Sequence, residues 1–223
     1  AQATNTRPAR MREPAMRVHD PSTIVRDGSR FWMFCTGAGV PSYSSTNLQD
    51  WQPGPAVMPQ MPPWVREAVP GQRGDYWAPD VIRVRDRWLR YYSVSSFGKN
   101  TSAIALASNP VLDPANPAFH WTDEGIVIRS FATNKFNTID PAVSLTADGR
   151  LWLAFGSYWS GIKLVELDPV TGKRIAPDSP MTSLASNDHI EAAFIHKHGT
   201  NFFLFLNWGQ CCKGTNSTYE IRV

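Results

Sequence analysis

The segment IDPAVSLTADGRLWLAFGSYW (residues 139–159) is two apolar runs around a polar Asp148-Gly149 turn. β-branched and aromatic residues dominate both runs, and Asp-Gly suits a two-residue hairpin, so the segment predicts a pair of antiparallel strands. Asp140 stands at the head of the first run, between an isoleucine and a proline. The same design recurs in STIVRDGSRFWMFCTG (22–37), VIRVRDRWLRYYSVSS (81–96) and AFIHKHGTNFFLFLNWG (193–209), with Asp27-Gly28 and His198-Gly199 at two of the turns. Four hairpins of one design make a repeat.

An acidic residue precedes each hairpin: Asp20 in HDPS, Asp80 in APDV, Asp140 in IDPAV and Glu191 in IEAAF, at intervals of 60, 60 and 51 residues. The step from the acid to an aromatic of the second strand is 12 residues in three units (Trp32, Trp152, Phe203) and 8 in the unit of Asp80, which reaches Trp88. Further strand-like runs follow in every unit: YSSTNLQDW, then SAIALASN and FHWTDEGIVI, then GIKLVELDP, and last STYEIRV. Three to four antiparallel strands per unit of this length predict an all-β chain of β-propeller blades, about four of them. A two-sheet sandwich would not require matched acids at matched positions. In a propeller the first strand of each blade lines the central channel, so the four acids are expected at one end of it. Asp80 is read chiefly as structural, since acids at strand starts also bond loop amides.

The bulk numbers agree with one domain. Residues 1–17 read as an N-terminal tail and 18–223 as a single propeller domain. With 42% apolar residues and nine Trp, the chain can bury a sizeable core and keep flat rings to spare; Trp32, Trp88 and Trp152 are expected in that core. Net charge is only +3, and Arg7, Arg10, Arg12 and Arg17 lack interleaved aromatics, so no nucleic-acid partner is assigned. No apolar run reaches 18 residues, so no membrane-spanning helix is read. Cys35 reads as a buried thiol, and the adjacent Cys211 and Cys212 as either a disulfide or two thiols on opposite faces of a strand. Asn100-Thr-Ser and Asn216-Ser-Thr fit the N-glycosylation pattern. No intact signal peptide is present, although the opening AQA would fit a remnant of one. His189 and His196 are expected at the surface, and His196 with His198 is read as incidental to a turn, not as a metal pair.

Converging carboxylates can divide labour. One takes a proton from water, one is held protonated and gives its proton to a leaving oxygen, and a third raises the acid's pKa and orients it. Glycoside hydrolysis needs such a pair, and inversion separates the two by about 6.5–9.5 Å to admit a water. HDPS, WAPDV, YYSVSSFGKNTSAI, FNTIDPAV, FGSYWSGIKL, IEAAFI and NWGQCC, in this order, resemble the arabinanases of glycoside hydrolase family 43, from about Val18 to Val223. The resemblance implies a five-bladed propeller that cleaves α-1,5-linked L-arabinan internally with inversion. It implies Asp20 as general base, Glu191 as general acid and Asp140 as the carboxylate that tunes and positions Glu191. It places His19, Trp77, Phe97, Asn137, Ser157 and Trp159 along a sugar-binding cleft, with His19 either orienting the cleft or merely bonding a loop carbonyl. Arabinan or arabino-oligosaccharides are the implied partners, and a secreted, extracellular or periplasmic, location follows from so large a substrate.

The sequence also departs from the family. A fifth blade is not matched, so an open four-bladed arc of marginal stability, or a piece of a longer enzyme, is expected. Two unpaired sheet edges would then invite self-association. No cofactor is required for the chemistry. Complete members commonly hold a central calcium through a histidine of the fifth blade, and no residue here matches it, so no metal ligand is assigned. Ala193 stands where the family often has proline. The short SLASNDHIEAAF segment (183–194) leaves an exo-acting arabinofuranosidase or β-xylosidase as an alternative. A non-catalytic carbohydrate-binding propeller is the alternative from another class.

Overall fold

A computed structural model describes residues 16–223; the expectation for Arg7, Arg10 and Arg12 lies outside the described residues. In chain order, β1 (Val25–Asp27) and β2 (Arg30–Phe34) form the first hairpin, and β3 (Gly37–Ala38) crosses to the next sheet. β4 (Ser42–Ser45) and β5 (Trp51–Pro53) complete a first sheet ordered β1-β2-β4-β5. After the short helix α1 (Pro63–Ala68) come β6 (Asp75–Val84), β7 (Arg87–Val94), β8 (Ser102–Asn109) and β9 (Thr122–Ser130), which take β3 on their edge as a second sheet. β10 (Ala142–Leu145), β11 (Leu151–Phe155), β12 (Ile162–Leu167) and β13 (Met181–Ala185) make the third. β14 (Ile190–His198), β15 (Asn201–Trp208) and β16 (Glu220–Arg222) make the fourth. All strand pairs are antiparallel. Within each sheet strand order follows chain order, which is the meander of a propeller blade.

The turns differ in one instructive case. Pairing of Asp27 with Arg30 and of His198 with Asn201 leaves two-residue loops, as Gly28 (φ 59°) and Gly199 (φ 59°) permit. The Asp148-Gly149 turn is wider: Leu145 pairs with Leu151, leaving five residues between the strands. Thr146 closes that loop by donating its N–H to the Arg150 carbonyl at 2.9 Å and its hydroxyl to the Asp148 carboxylate. The side-chain bond and the longer span displace the two-residue turn expected from the dipeptide.

Three apolar layers separate the four sheets. Trp32, Phe34, Val81, Trp88 and Tyr92 fill the first, Leu89, Tyr91, Leu151, Leu153 and Phe155 the second, and Ala142, Ala154, Ile162, Ile190 and Leu206 the third. The second sheet is therefore covered on both faces. That is why β8 is buried at every position and β7 at all but its first. On β11, Leu151, Leu153 and Phe155 face the second sheet, and Trp152 points the other way. It is only half-buried, with the Arg150 guanidinium 4.4 Å from its ring, so Trp152 is not the core residue expected, whereas Trp32 and Trp88 are.

Two buried charges bind the sheets. Asp80, on β6, accepts the backbone N–H of Thr23 at 3.1 Å and that of Val143 at 2.8 Å, so one carboxylate ties the first-strand segments of three sheets. Arg90, on β7, is fully buried, and its guanidinium stands 4.9 Å from the Tyr92 ring, 5.1 Å from Trp121 and 5.8 Å from Phe34. None of its nitrogens has a hydrogen-bond partner among the described residues. Cation–π attraction partly offsets its desolvation.

Candidate active site

The first strands and the segments that lead into them deliver Asp20, Asp140 and Glu191 to one cleft of about 710 Å³. Asp20 and Asp140 take left-handed backbone (φ 48° and 57°), and so does Ala192 (φ 54°), directly after Glu191. Outside glycine such residues cost on the order of 1–3 kcal/mol each, and they gather where packing over-determines a site. By this backbone mark the partner of Asp20 and Asp140 in the fourth unit is Ala192. Glu191, although aligned with those acids in sequence, thus sits one residue ahead of the backbone position they occupy, and β14 has an irregularity between Glu191 and Phe194.

Asp20 is exposed, and its Oδ2 accepts the Thr36 hydroxyl at 2.6 Å and lies 2.7 Å from His19 Nδ1. Its Oδ1 has no hydrogen bond among the described residues. Asp140 is anchored at both ends: Ser93 Oγ accepts its backbone N–H at 2.9 Å, and its Oδ2 accepts the Ala192 N–H at 3.2 Å. Glu191 is 8% exposed and takes a hydroxyl on each carboxyl oxygen, Ser157 on Oε2 at 2.8 Å and Tyr219 on Oε1. Ser157 owes its place to Gly156 (φ 130°), where a Cβ would collide with the Gly161 carbonyl.

Burial lifts Asp140 well above the usual carboxylate range, and the nearby charges of Glu191 and Asp20 lift it further. Burial also raises Glu191; the Ser157 hydrogen bond opposes that rise, Asp20 adds to it, and His19 acts against it. Asp140 and Glu191 therefore titrate as a pair that keeps a proton to higher pH than either acid in water. Asp80 is raised by burial, against the pull of its two amide donors.

The expected cleft residues all border this space: His19, Trp77, Phe97, Asn137, Ser157 and Trp159. Phe97 is 80% exposed and Trp159 46% exposed, so both rings stand clear at the rim. Trp77 is half-buried, and Asn137 is buried with its Oδ1 accepting from Ser102 at 2.8 Å. Trp159 also borders a shallow, polar depression formed with Lys163, Ser183 and Asp188, so the concave surface continues past it.

For the remaining residues the outcomes differ. His189 is not a surface residue: it is half-buried in the cleft, its ring 5.5 Å from Tyr158 and its Nε2 3.2 Å from Gln210 Nε2. Asn100 is buried and donates to the Asn134 and Phe136 carbonyls at 2.8 and 3.2 Å, which removes it as a glycosylation acceptor; Asn216 is exposed. Cys35 is a buried free thiol, pushed up to about 12 by burial and the charge of Asp20. Cys211 and Cys212 form a disulfide at the cleft wall. Among the described residues no three His, Cys, Asp or Glu side chains gather in a cluster that could hold a metal ion. Thr36, Tyr158, Gln210 and Tyr219 also border the cleft; no role is read for them in the sequence, although Tyr158 and Gln210 lie within FGSYWSGIKL and NWGQCC.

Inner strands that carry acids to one aromatic-edged cleft define a β-propeller of the glycoside hydrolase type. The chain belongs to the glycosyl hydrolases family 43, whose model matches residues 12–223. It is 37% identical over 219 residues to the extracellular exo-alpha-(1->5)-L-arabinofuranosidase ArbA of Cellvibrio japonicus, covering 92% of this chain and 63% of that protein. It is also 37% identical over 212 residues to the extracellular endo-alpha-(1->5)-L-arabinanase 1 of Bacillus subtilis, again over 92% of this chain and 63% of that protein. A solved structure of the Cellvibrio cellulosa alpha-L-arabinanase complexed with arabinohexaose is similar at a TM-score of 0.87 and 36% identity, over 92% of this chain and 69% of that one. The chain thus spans about 63% of the length of these curated relatives.

Proposed function

We propose that this chain carries the catalytic carboxylates of an inverting glycoside hydrolase that cuts α-1,5-L-arabinofuranosidic bonds within arabinan. The observation that carries the reading is the asymmetry of the three acids. Asp20 is exposed with one oxygen uncommitted, whereas Asp140 and Glu191 are buried together and both are raised above the usual carboxylate range, chiefly by burial. Asp20 takes a proton from water as the water oxygen attacks the anomeric carbon. The glycosidic bond breaks, and Glu191 gives its proton to the departing O5 oxygen. Asp140 keeps the proton on the pair and fixes the backbone behind Glu191 through the Ala192 N–H. Phe97, Trp77 and Trp159 offer flat apolar faces to furanose rings, while Asn137, Ser157 and His19 meet hydroxyls.

Internal cleavage is supported by the concave surface that continues beyond Trp159, which suits a polymer running through. Exo action is the second reading, because an exo-acting and an endo-acting relative are equally identical to this chain. Secretion is supported by the extracellular designation of both relatives and by the size of the substrate. The test is the product profile from linear α-1,5-arabinan, run on folded chain with Glu191→Gln beside it. A ladder of oligosaccharides that vanishes in the variant supports the reading. Arabinose alone would replace endo by exo action, and full activity in the variant would remove Glu191 as the acid.

A further inference from the structure

Glu191 is the only one of the three acids whose carboxyl oxygens each receive a side-chain hydroxyl among the described residues, and the two donors differ in kind. Ser157 is buried and fixed by the backbone turn after Gly156. Tyr219 is 43% exposed, stands just before β16, and reaches Oε1 from the open side of the cleft. Its place is set by the loop that joins β15 to β16. Thr218 donates its N–H to the Gln210 carbonyl at 3.1 Å, Gln210 returns an N–H to Thr218 Oγ1 at 3.0 Å, and Gly209 bonds the His189 carbonyl at 3.0 Å. The Cys211–Cys212 disulfide lies within the same loop. A phenol held this way does more than fill space, because it meets the carboxyl that must present a proton.

We propose that Tyr219 is a positioning residue for Glu191: its hydroxyl fixes the rotation of the carboxyl and, by donating to it, sets the upper pH limit of proton delivery. The inference rests on Glu191 acting as the general acid. Other titratable groups line the same cleft from the elements around Glu191. Asp140 comes from the third sheet, Asp20 and His19 from the first, Tyr158 from the β11–β12 connection, His189 from the segment before β14, and Lys213 from the β15–β16 loop. Asp140 and Asp20 favour the protonated form by like charge, and His19 opposes them. A hydroxyl that donates to the carboxylate favours its ionised form, so losing that hydroxyl should raise the pH at which Glu191 releases its proton.

The test is Tyr219→Phe, which keeps the ring and removes one oxygen. Carboxyl ¹³C NMR of folded chain labelled at glutamate, with Glu191→Gln to assign the resonance, should show the Glu191 midpoint displaced upward in the variant. On linear α-1,5-arabinan, kcat should fall by about tenfold with KM nearly unchanged, and the basic limb of the pH profile should move up. A 2,4-dinitrophenyl α-L-arabinofuranoside, whose leaving group needs no proton, should be cleaved at the wild-type rate. An unmoved midpoint overturns the proposal, as does an equal loss on both substrates. If Glu191→Gln leaves arabinan cleavage intact, the acid assignment itself falls. If Glu191→Gln abolishes cleavage while Tyr219→Phe matches wild type in both readouts, only the role of Tyr219 falls.

Discussion

The Asp80 carboxylate and the Val143 backbone N–H are 2.8 Å apart although they belong to different sheets, and the other oxygen of Asp80 holds Thr23 from a third. Asp80 sits where the repeat places an acid, yet it serves as a joint between blades. Asp80→Ala would leave two backbone N–H groups unpaired in the interior. At about 1–3 kcal/mol for each, the expected loss is about 3 kcal/mol of unfolding free energy. Urea denaturation of the variant beside wild type measures it, and an unchanged midpoint would deny the joint.

Asp140 illustrates the opposite balance. Its carboxyl is pushed up in the folded chain, so the fold prefers it protonated. The stability it contributes is complete below the unfolded value near 4 and is lost as pH rises through the raised folded value. Asp140→Asn should therefore melt higher than wild type at pH 7, the gap closing as pH falls toward 4, while hydrolysis of arabinan collapses. Melting curves across pH 4–8 would show this directly, and a lower Tm for the variant at pH 7 contradicts it.

Arg90 is a charge without a hydrogen bond, held among Phe34, Tyr92 and Trp121. Burial lowers its pKa to about 9, so it still carries its charge at neutral pH. Arg90→Met keeps most of the volume and discards the desolvation cost, so its unfolding free energy should equal or exceed that of wild type. Arg90→Ala should lose about 2–5 kcal/mol to the cavity it opens. Should Arg90→Met prove as damaging as Arg90→Ala, the cation–π contacts outweigh desolvation.

Trp159 stands at the meeting of the cleft and the shallower depression beyond it. On the proposed function, Trp159→Ala should raise KM for arabinan by about tenfold and leave kcat within about twofold, the pattern of lost uniform binding. Short oligosaccharides that do not reach past Trp159 should be less affected. Equal loss on long and short substrates would place the ring nearer the scissile bond.

The repeat was legible because strand alternation and the spacing of its acids survive in one dimension. Asp20, Asp140 and Glu191 reach one cleft through that spacing, even though Glu191 is displaced by one residue. Trp32 and Trp152 share a spacing of 12 from their acids, yet one is buried and the other half-open. Which face of a strand gains a neighbour is decided by the adjoining sheet, not by the strand. Tyr219 and His189 were illegible for a related reason: hydrogen bonds of Gly209 and Gln210 fold their segments together, and no local pattern encodes that closure.

The two-residue strand β3 leaves the first sheet's own hairpins and pairs with β6 through Gly37–Tyr76 and Ala38–Asp75. Neither of the first two sheets can then come apart without breaking backbone hydrogen bonds of the other. Together with the joint at Asp80, this welds residues from about 20 to 130 into a single cooperative unit. Among the described residues, the three-stranded fourth sheet, which carries Glu191 and Tyr219, has no such exchanged strand. On the proposed function, the acid that activates water is thus tied into this unit, whereas the acid that presents the proton lies outside it.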